Sequence, residues 1–143
     1  MSNDNIFLQE SMAISHQLIR WRRALHQIPE VGTRLPQTMQ YIAEQLEEMD
    51  IPFTYHEGIS CIEATIGAGS RCFLLRSDVD AIPVTEEADL PFRSINGSMH
   101  GCGHDLHGTI LLGAAKLLKK HEQELTGTVK LLFQSGEEVF QGA

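Results

Sequence analysis

Little in this 143-residue sequence is basic, aromatic or continuously apolar. Lysine and arginine number 11 against 19 aspartates and glutamates, a net charge of −8. No basic stripe appears, which argues against a nucleic-acid partner. No apolar run approaches the ~20 residues of a membrane span, so no membrane association is expected. The stretch from Met1 to Glu10 is polar and acidic, unlike a secretory signal, and the expected location is cytoplasmic. The cysteines are only three, an odd count that argues against a disulfide framework. Cys61 and Cys72 lie in strand-like apolar contexts and read as small buried hydrophobes. With 42% hydrophobic and 21% charged residues, the chain has enough material for one ordinary core. No internal repeat or low-complexity tract interrupts it.

Periodicity orders the elements. Ile6, Met12, Ile14, Leu18, Trp21 and Leu25 predict a helix from Ile6 to about Gln27, stopped by Ile28-Pro29. Met39, Ile42, Leu46 and Met49 form one stripe of a second helix, with Pro36 at its first position. Extended structure is expected around Phe53–His56, with strands at Cys61–Ile66 and Cys72–Arg76. Cys72-Phe73-Leu74-Leu75 is continuously apolar, as in a strand buried on both faces. A third helix runs from Asp105 to about His121, and Thr128–Gln134 is a further strand. The sequence of elements predicts an α/β fold.

The chemistry is concentrated in three places. Met99 to His107 holds a thiol, three imidazoles and a carboxylate spaced by glycines. Cys102 and His104 are suitable ligands for zinc or a similar borderline cation, although a glycine-rich turn with an incidental thiol would look the same. His107 follows His104 by three residues and could be a ligand, a hydrogen-bond donor or a substrate contact. Asp105 could orient an imidazole, or merely favour a helix N-terminus. Glu137-Glu138 ends a strand. Neighbouring side chains on an extended chain point apart, so one could bind metal while the other acts as general base. Asp78 and Asp80 end a strand at i and i+2, facing one side, where they could bind a cation, orient a ligand or merely cap the loop.

Four ordered motifs span most of the chain: Arg22 to Glu30, Arg76 to Pro83, Met99 to His107 and Phe133 to Glu138. Together they resemble the M20 metallopeptidase family, in its amidohydrolase branch of hippurate hydrolases, auxin-conjugate hydrolases and N-acetyldiaminopimelate deacetylases. The resemblance implies a zinc-peptidase-like catalytic domain with a mixed, largely parallel sheet flanked by helices. It implies two divalent ions (Zn, Mn, Co or Ni), with Cys102, His104 and Glu138 as ligands and Glu137 as base. Asp80 matches the family's orienting aspartate, while Asp78, Asp105 and His107 are possible supporting or substrate-contacting groups. The implied reaction is hydrolysis of an N-acyl amino acid to a carboxylate and a free amino acid. The family continues past this chain, with two further ligand histidines, an inserted dimerisation domain and, in the whole protein, a homodimer. Residues 1–143 are thus expected to be the N-terminal portion of the catalytic domain. Two alternatives remain open: an inactive metal-binding fragment and a thiol hydrolase using Cys102.

Overall fold

In the computed structural model, which describes residues 4–142, four helices accompany one four-stranded sheet. The expected first helix is two: α1 (Asp4–Ala13) and α2 (Ser15–His26), separated at Ile14, whose φ of −94° and ψ of 7° leave the helical region. The apolar residues of α1 do not repeat on one face. Phe7, Leu8 and Met12 are exposed, whereas Trp21 and Leu25 of α2 are buried. A change in buried face across Ile14 accounts for the break. Helix α3 (Pro36–Glu48) buries Met39, Ile42 and Leu46 as its stripe predicts. Its orphan N-terminal amides at Gln37 and Thr38 donate to the carboxylate of Glu30, which satisfies part of the first turn.

The sheet order is β1 (Phe53–His56), β2 (Cys61–Ile66), β4 (Thr128–Gln134), β3 (Cys72–Asp78). It is mixed, but in the described residues two of its three pairings are antiparallel and only β3 with β4 is parallel. The central pair carries the core. Ile62 faces Phe133, Ala64 faces Leu131 and Ile66 faces Val129. All six are buried beneath α3 and α4 (His104–Lys120). Each large side chain fully removed from water contributes roughly 1.5–3 kcal/mol, so this cross-strand ladder and the helix residues packed on it, among them Trp21, Leu25, Met39, Ile42 and Leu112, anchor the fold together.

Strand β3 departs from expectation. Phe73 and Leu74 remain 63% and 60% exposed, and Cys72 is exposed as well; only Cys61 is the buried thiol predicted for both. The reason is position: among the described residues β3 pairs only with β4 and forms the sheet's edge. Burial begins at its carboxyl end, at Ser77 and Asp78, where β3 packs against α4 and Asp78 meets His104 and His107. The parallel strands β3 and β4 therefore end side by side, Asp78 opposite Gln134. Ligand-binding groups gather at such carboxyl ends in α/β sheets.

Candidate metal centre

His104 is the hub of that end. Its Nδ1 lies 2.9 Å from the backbone oxygen of Asp80. A carbonyl only accepts, so Nδ1 carries a proton and donates, leaving Nε2 as the nitrogen available to a metal. Nε2 faces three carboxylates, 3.4 Å from Asp78 and 3.8 Å from both Glu137 and Glu138. A backbone bond that fixes the tautomer of an imidazole aimed at acidic groups is the usual support of a metal-ligating histidine. Gly103, at φ +87°, ends the loop before α4 in a left-handed conformation that a side chain would strain.

The glutamate pair reaches the same nitrogen by a turn. β4 stops at Gln134, and Gly136 takes φ +75° at a point where a Cβ would meet Thr33 at 2.8 Å. The chain then bends through Glu137–Phe140, with Phe140 N donating to Glu137 O at 3.0 Å. The expected extended geometry, with the two side chains pointing apart, is replaced by this bend, and both carboxylates converge on His104. Asp80 fixes the bend from below, since Glu138 N donates to its Oδ2 at 3.0 Å. Asp80 Oδ1 is buried without a hydrogen-bond partner and sits 3.4 Å from His104 Nδ1.

Asp78 is engaged on both oxygens. Oδ2 pairs with Arg76 at 2.8 Å, and Oδ1 takes a short bond from His107 Nδ1. Burial opposes its ionisation, but the His107 bond and the charges of His104 and Arg76 outweigh burial and hold the carboxyl below its usual range. Cys102 is exposed at the loop before α4, and its thiol is pushed above the ordinary range, first by its hydrogen bond to Glu138, then by burial and the surrounding carboxylates.

Asp78, His104 and Glu137 can each bring one ligand atom within 4.8 Å of the others. Four carboxylates and a thiol thus surround one imidazole, with Arg76 paired to Asp78. A divalent cation would compensate that charge and reverse the pressure on Cys102, because metal coordination removes a thiol proton. The donor set, oxygen with nitrogen and sulfur, suits zinc or a neighbouring transition metal. Of the residues singled out by sequence, Asp78, Asp80, Cys102, His104, His107, Glu137 and Glu138 come together. Asp105 does not: it is buried against α2, paired with Arg22 and His26. Glu86, buried in the same cluster, escaped notice in the sequence because its partners lie 8 and 60 residues away. An acid inside an otherwise loop-like stretch gave no periodic signal.

Comparison with known proteins agrees with this geometry. The profile of peptidase family M20/M25/M40 matches residues 74–143. The chain belongs to this family. It is 43% identical over 124 residues to the Arabidopsis thaliana IAA-amino acid hydrolase ILR1-like 4, covering 85% of this chain and 28% of that protein. It is 39% identical over 151 residues to a Bacillus subtilis N-acetyl-L-cysteine deacetylase, covering 99% of this chain and 36% of the relative. The chain therefore spans about a third of the length of these M20 relatives. A putative aminohydrolase from methicillin-resistant Staphylococcus aureus superposes with a TM-score of 0.91 at 34% identity, over 99% of this chain and 37% of that one. A dinuclear metal-binding M20 peptidase from Bacillus subtilis gives 0.86 at 36% identity, over 92% and 38%.

Proposed function

We propose that this M20 chain forms the N-terminal portion of a metal-dependent catalytic domain that hydrolyses the amide bond of N-acyl amino acids. The single observation that carries the proposal is the free Nε2 of His104, fixed by the Asp80 carbonyl and faced by three carboxylates at 3.4–3.8 Å. The names of the relatives, which describe amino-acid conjugates and N-acetylcysteine as substrates, support the substrate class.

In this reading Cys102, His104 and Glu138 would hold two divalent ions, with Asp78 beside them as anchor for Arg76 and His107. Bound divalent cations lower the pKa of water towards ~7 and polarise a carbonyl. Glu137 is the base: its side chain is 43% exposed against 18% for Glu138, so it reaches solvent while its neighbour faces inward. Glu137 takes a proton from the attacking water and returns it to the leaving amine. Asp80 holds the turn at Glu138 through the backbone and keeps His104 in its tautomer.

The Cys102-nucleophile reading runs against the electrostatics. A reactive thiol needs a depressed pKa, and the carboxylates around Cys102 push it the other way. The deciding experiment strips metal from the protein with a chelator and follows hydrolysis of N-acetyl-L-cysteine and other N-acyl amino acids. Activity should vanish and return with Zn²⁺ or Mn²⁺. Full activity in the stripped protein, or inactivation by thiol alkylation with no metal present, would overturn the proposal.

A further inference from the structure

Behind the carboxylate-rich end lies a second charged cluster, and it is closed. Both ring nitrogens of His26 face carboxylate oxygens, Nδ1 at 2.7 Å from Asp105 Oδ2 and Nε2 at 3.0 Å from Glu86 Oε1. Ionised carboxylates only accept, so both nitrogens donate and the ring is an imidazolium. Arg22 Nε lies 2.8 Å from the same Asp105 oxygen. Two cations thus meet two carboxylates. His26, Glu86 and Asp105 are at most 7% exposed. Phe92 covers the group, its ring edge-on to His26 at 5.7 Å and under the guanidinium of Arg22 at 5.2 Å.

The cluster ties three separate segments. Helix α2 contributes Arg22 and His26. The loop after β3 contributes Glu86, whose second oxygen accepts the amide of Ser94 at 2.7 Å and so folds residues 86–94 onto themselves. Helix α4 contributes Asp105, whose other oxygen accepts the amide of Leu106 at 2.9 Å. Consecutive helical residues point about 100° apart. Asp105 locked onto α2 therefore sets the rotation of the first turn of α4 and turns His104 to the strand ends.

A buried ion cluster is a poor source of net stability compared with well-packed apolar groups. Its presence directly behind the first turn of α4 asks for another reason. We propose that His26 and Glu86 are positioning residues that, through Asp105, orient His104 Nε2 onto Asp78, Glu137 and Glu138. The purpose rests on the metal-centre reading; the orientation itself does not.

The test is Glu86→Gln, which preserves size but leaves His26 facing one carboxylate. Glu63→Gln is the control, because it unties Lys130 elsewhere on the sheet. Glu86→Gln should weaken Mn²⁺ or Zn²⁺ binding, read by calorimetry, by about 10- to 100-fold. It should also raise amide exchange at Leu106 and His107, both of which bond to Gly103 O, by about tenfold or more, without a matching rise in β2 and β4. Glu86→Asp, with its charge restored one methylene short, should recover part of both. Unchanged affinity and exchange in folded Glu86→Gln would overturn the proposal. A uniform rise in exchange across the sheet would overturn it too, since that marks a merely structural role. If the wild type itself binds neither ion, the metal-centre reading falls, and exchange at Leu106 and His107 still decides whether Glu86 positions the turn.

Discussion

His26 and His104 sit on opposite sides of the first turn of α4, and each is ringed by carboxylates. Around His26 the contacts are hydrogen bonds of 2.7 and 3.0 Å, and Arg22 completes a balance of charge. Around His104 the Nε2-to-carboxylate distances are 3.4–3.8 Å, and acid exceeds base. In the first arrangement both ring nitrogens are taken up by carboxylates. The second leaves Nε2 and the carboxylates beyond close hydrogen-bond distance, with room for a cation that all of them could share. The same residue types thus give a structural lock on one side and a ligand-receiving site on the other. Spacing and charge balance make the difference.

The comparison breaks most visibly at Glu137. Glu137→Gln keeps the shape of the open side but removes the carboxylate proposed as its base. The expected loss in kcat is about 10²- to 10⁴-fold, with metal affinity read by calorimetry and the far-UV spectrum preserved. A variant that keeps near wild-type turnover would remove Glu137 from the mechanism.

The closed side breaks through His26. His26→Ala removes one of two cations and leaves buried carboxylates partly unmatched, a change that typically costs about 3–5 kcal/mol. Urea unfolding should show the loss in the midpoint. An equal loss for His104→Ala in metal-free protein would erase the distinction, because His104 makes no comparably matched ion pair there.

How much of this contrast is legible in the sequence follows from distance along the chain. Cys102, His104, Glu137 and Glu138 stand out because local spacing and chemistry announce them. Asp78 ends β3 and Asp80 follows two residues later, and both lie near the His104 ring as their alternation suggests. The closed cluster is different: His26 meets Asp105 and Glu86 across 79 and 60 residues, and no periodicity encodes such a meeting. Exposure of β3 is equally non-local. Its apolar run has the composition of an inner strand, and only the order of strands makes it an edge among the described residues. The break at Ile14 was hidden because apolar residues continue through it.

Acid should sharpen the comparison from a third histidine. His100 is 5% exposed, and neither ring nitrogen has a hydrogen-bond partner among the described residues. Burial pushes its pKa down from 6.5 to about 4. The unfolded chain takes up this proton near 6.5 and the folded chain only near 4. Stability should therefore fall as pH drops through that window and level off below it. The gap corresponds to about 3 kcal/mol. Thermal melts from pH 7 to 4.5 should show the slope, and His100→Gln should flatten it; a slope that survives the substitution would assign the acid sensitivity elsewhere.

The smallest effect belongs to His121, which repeats the wiring of His26 at the surface. Its Nε2 lies 2.8 Å from Glu10 on α1 and its Nδ1 2.7 Å from Glu124 after α4, with Lys120 also bonded to Glu10 and Phe7 packed 5.2 Å from the ring. The bonds to Glu124 and Glu10, in that order, raise its pKa above 6.5. A histidine raised in the folded state stabilises fully below its unfolded value, and that contribution is lost as pH rises through the folded value. One carboxylate then faces a bare nitrogen. Surface pairs of this kind contribute little because water and salt screen them, so global unfolding should barely move. The change should appear locally instead, as a fall in the protection factors of α1 amides, taken relative to intrinsic exchange at each pH, when the pH is raised from 6 to 9. His121→Gln should abolish the pH dependence, and raised salt should reduce it. The buried His26 cluster should show no such salt effect, since charges held away from water are screened far less. An equal salt response at both would mean that burial does not separate the two.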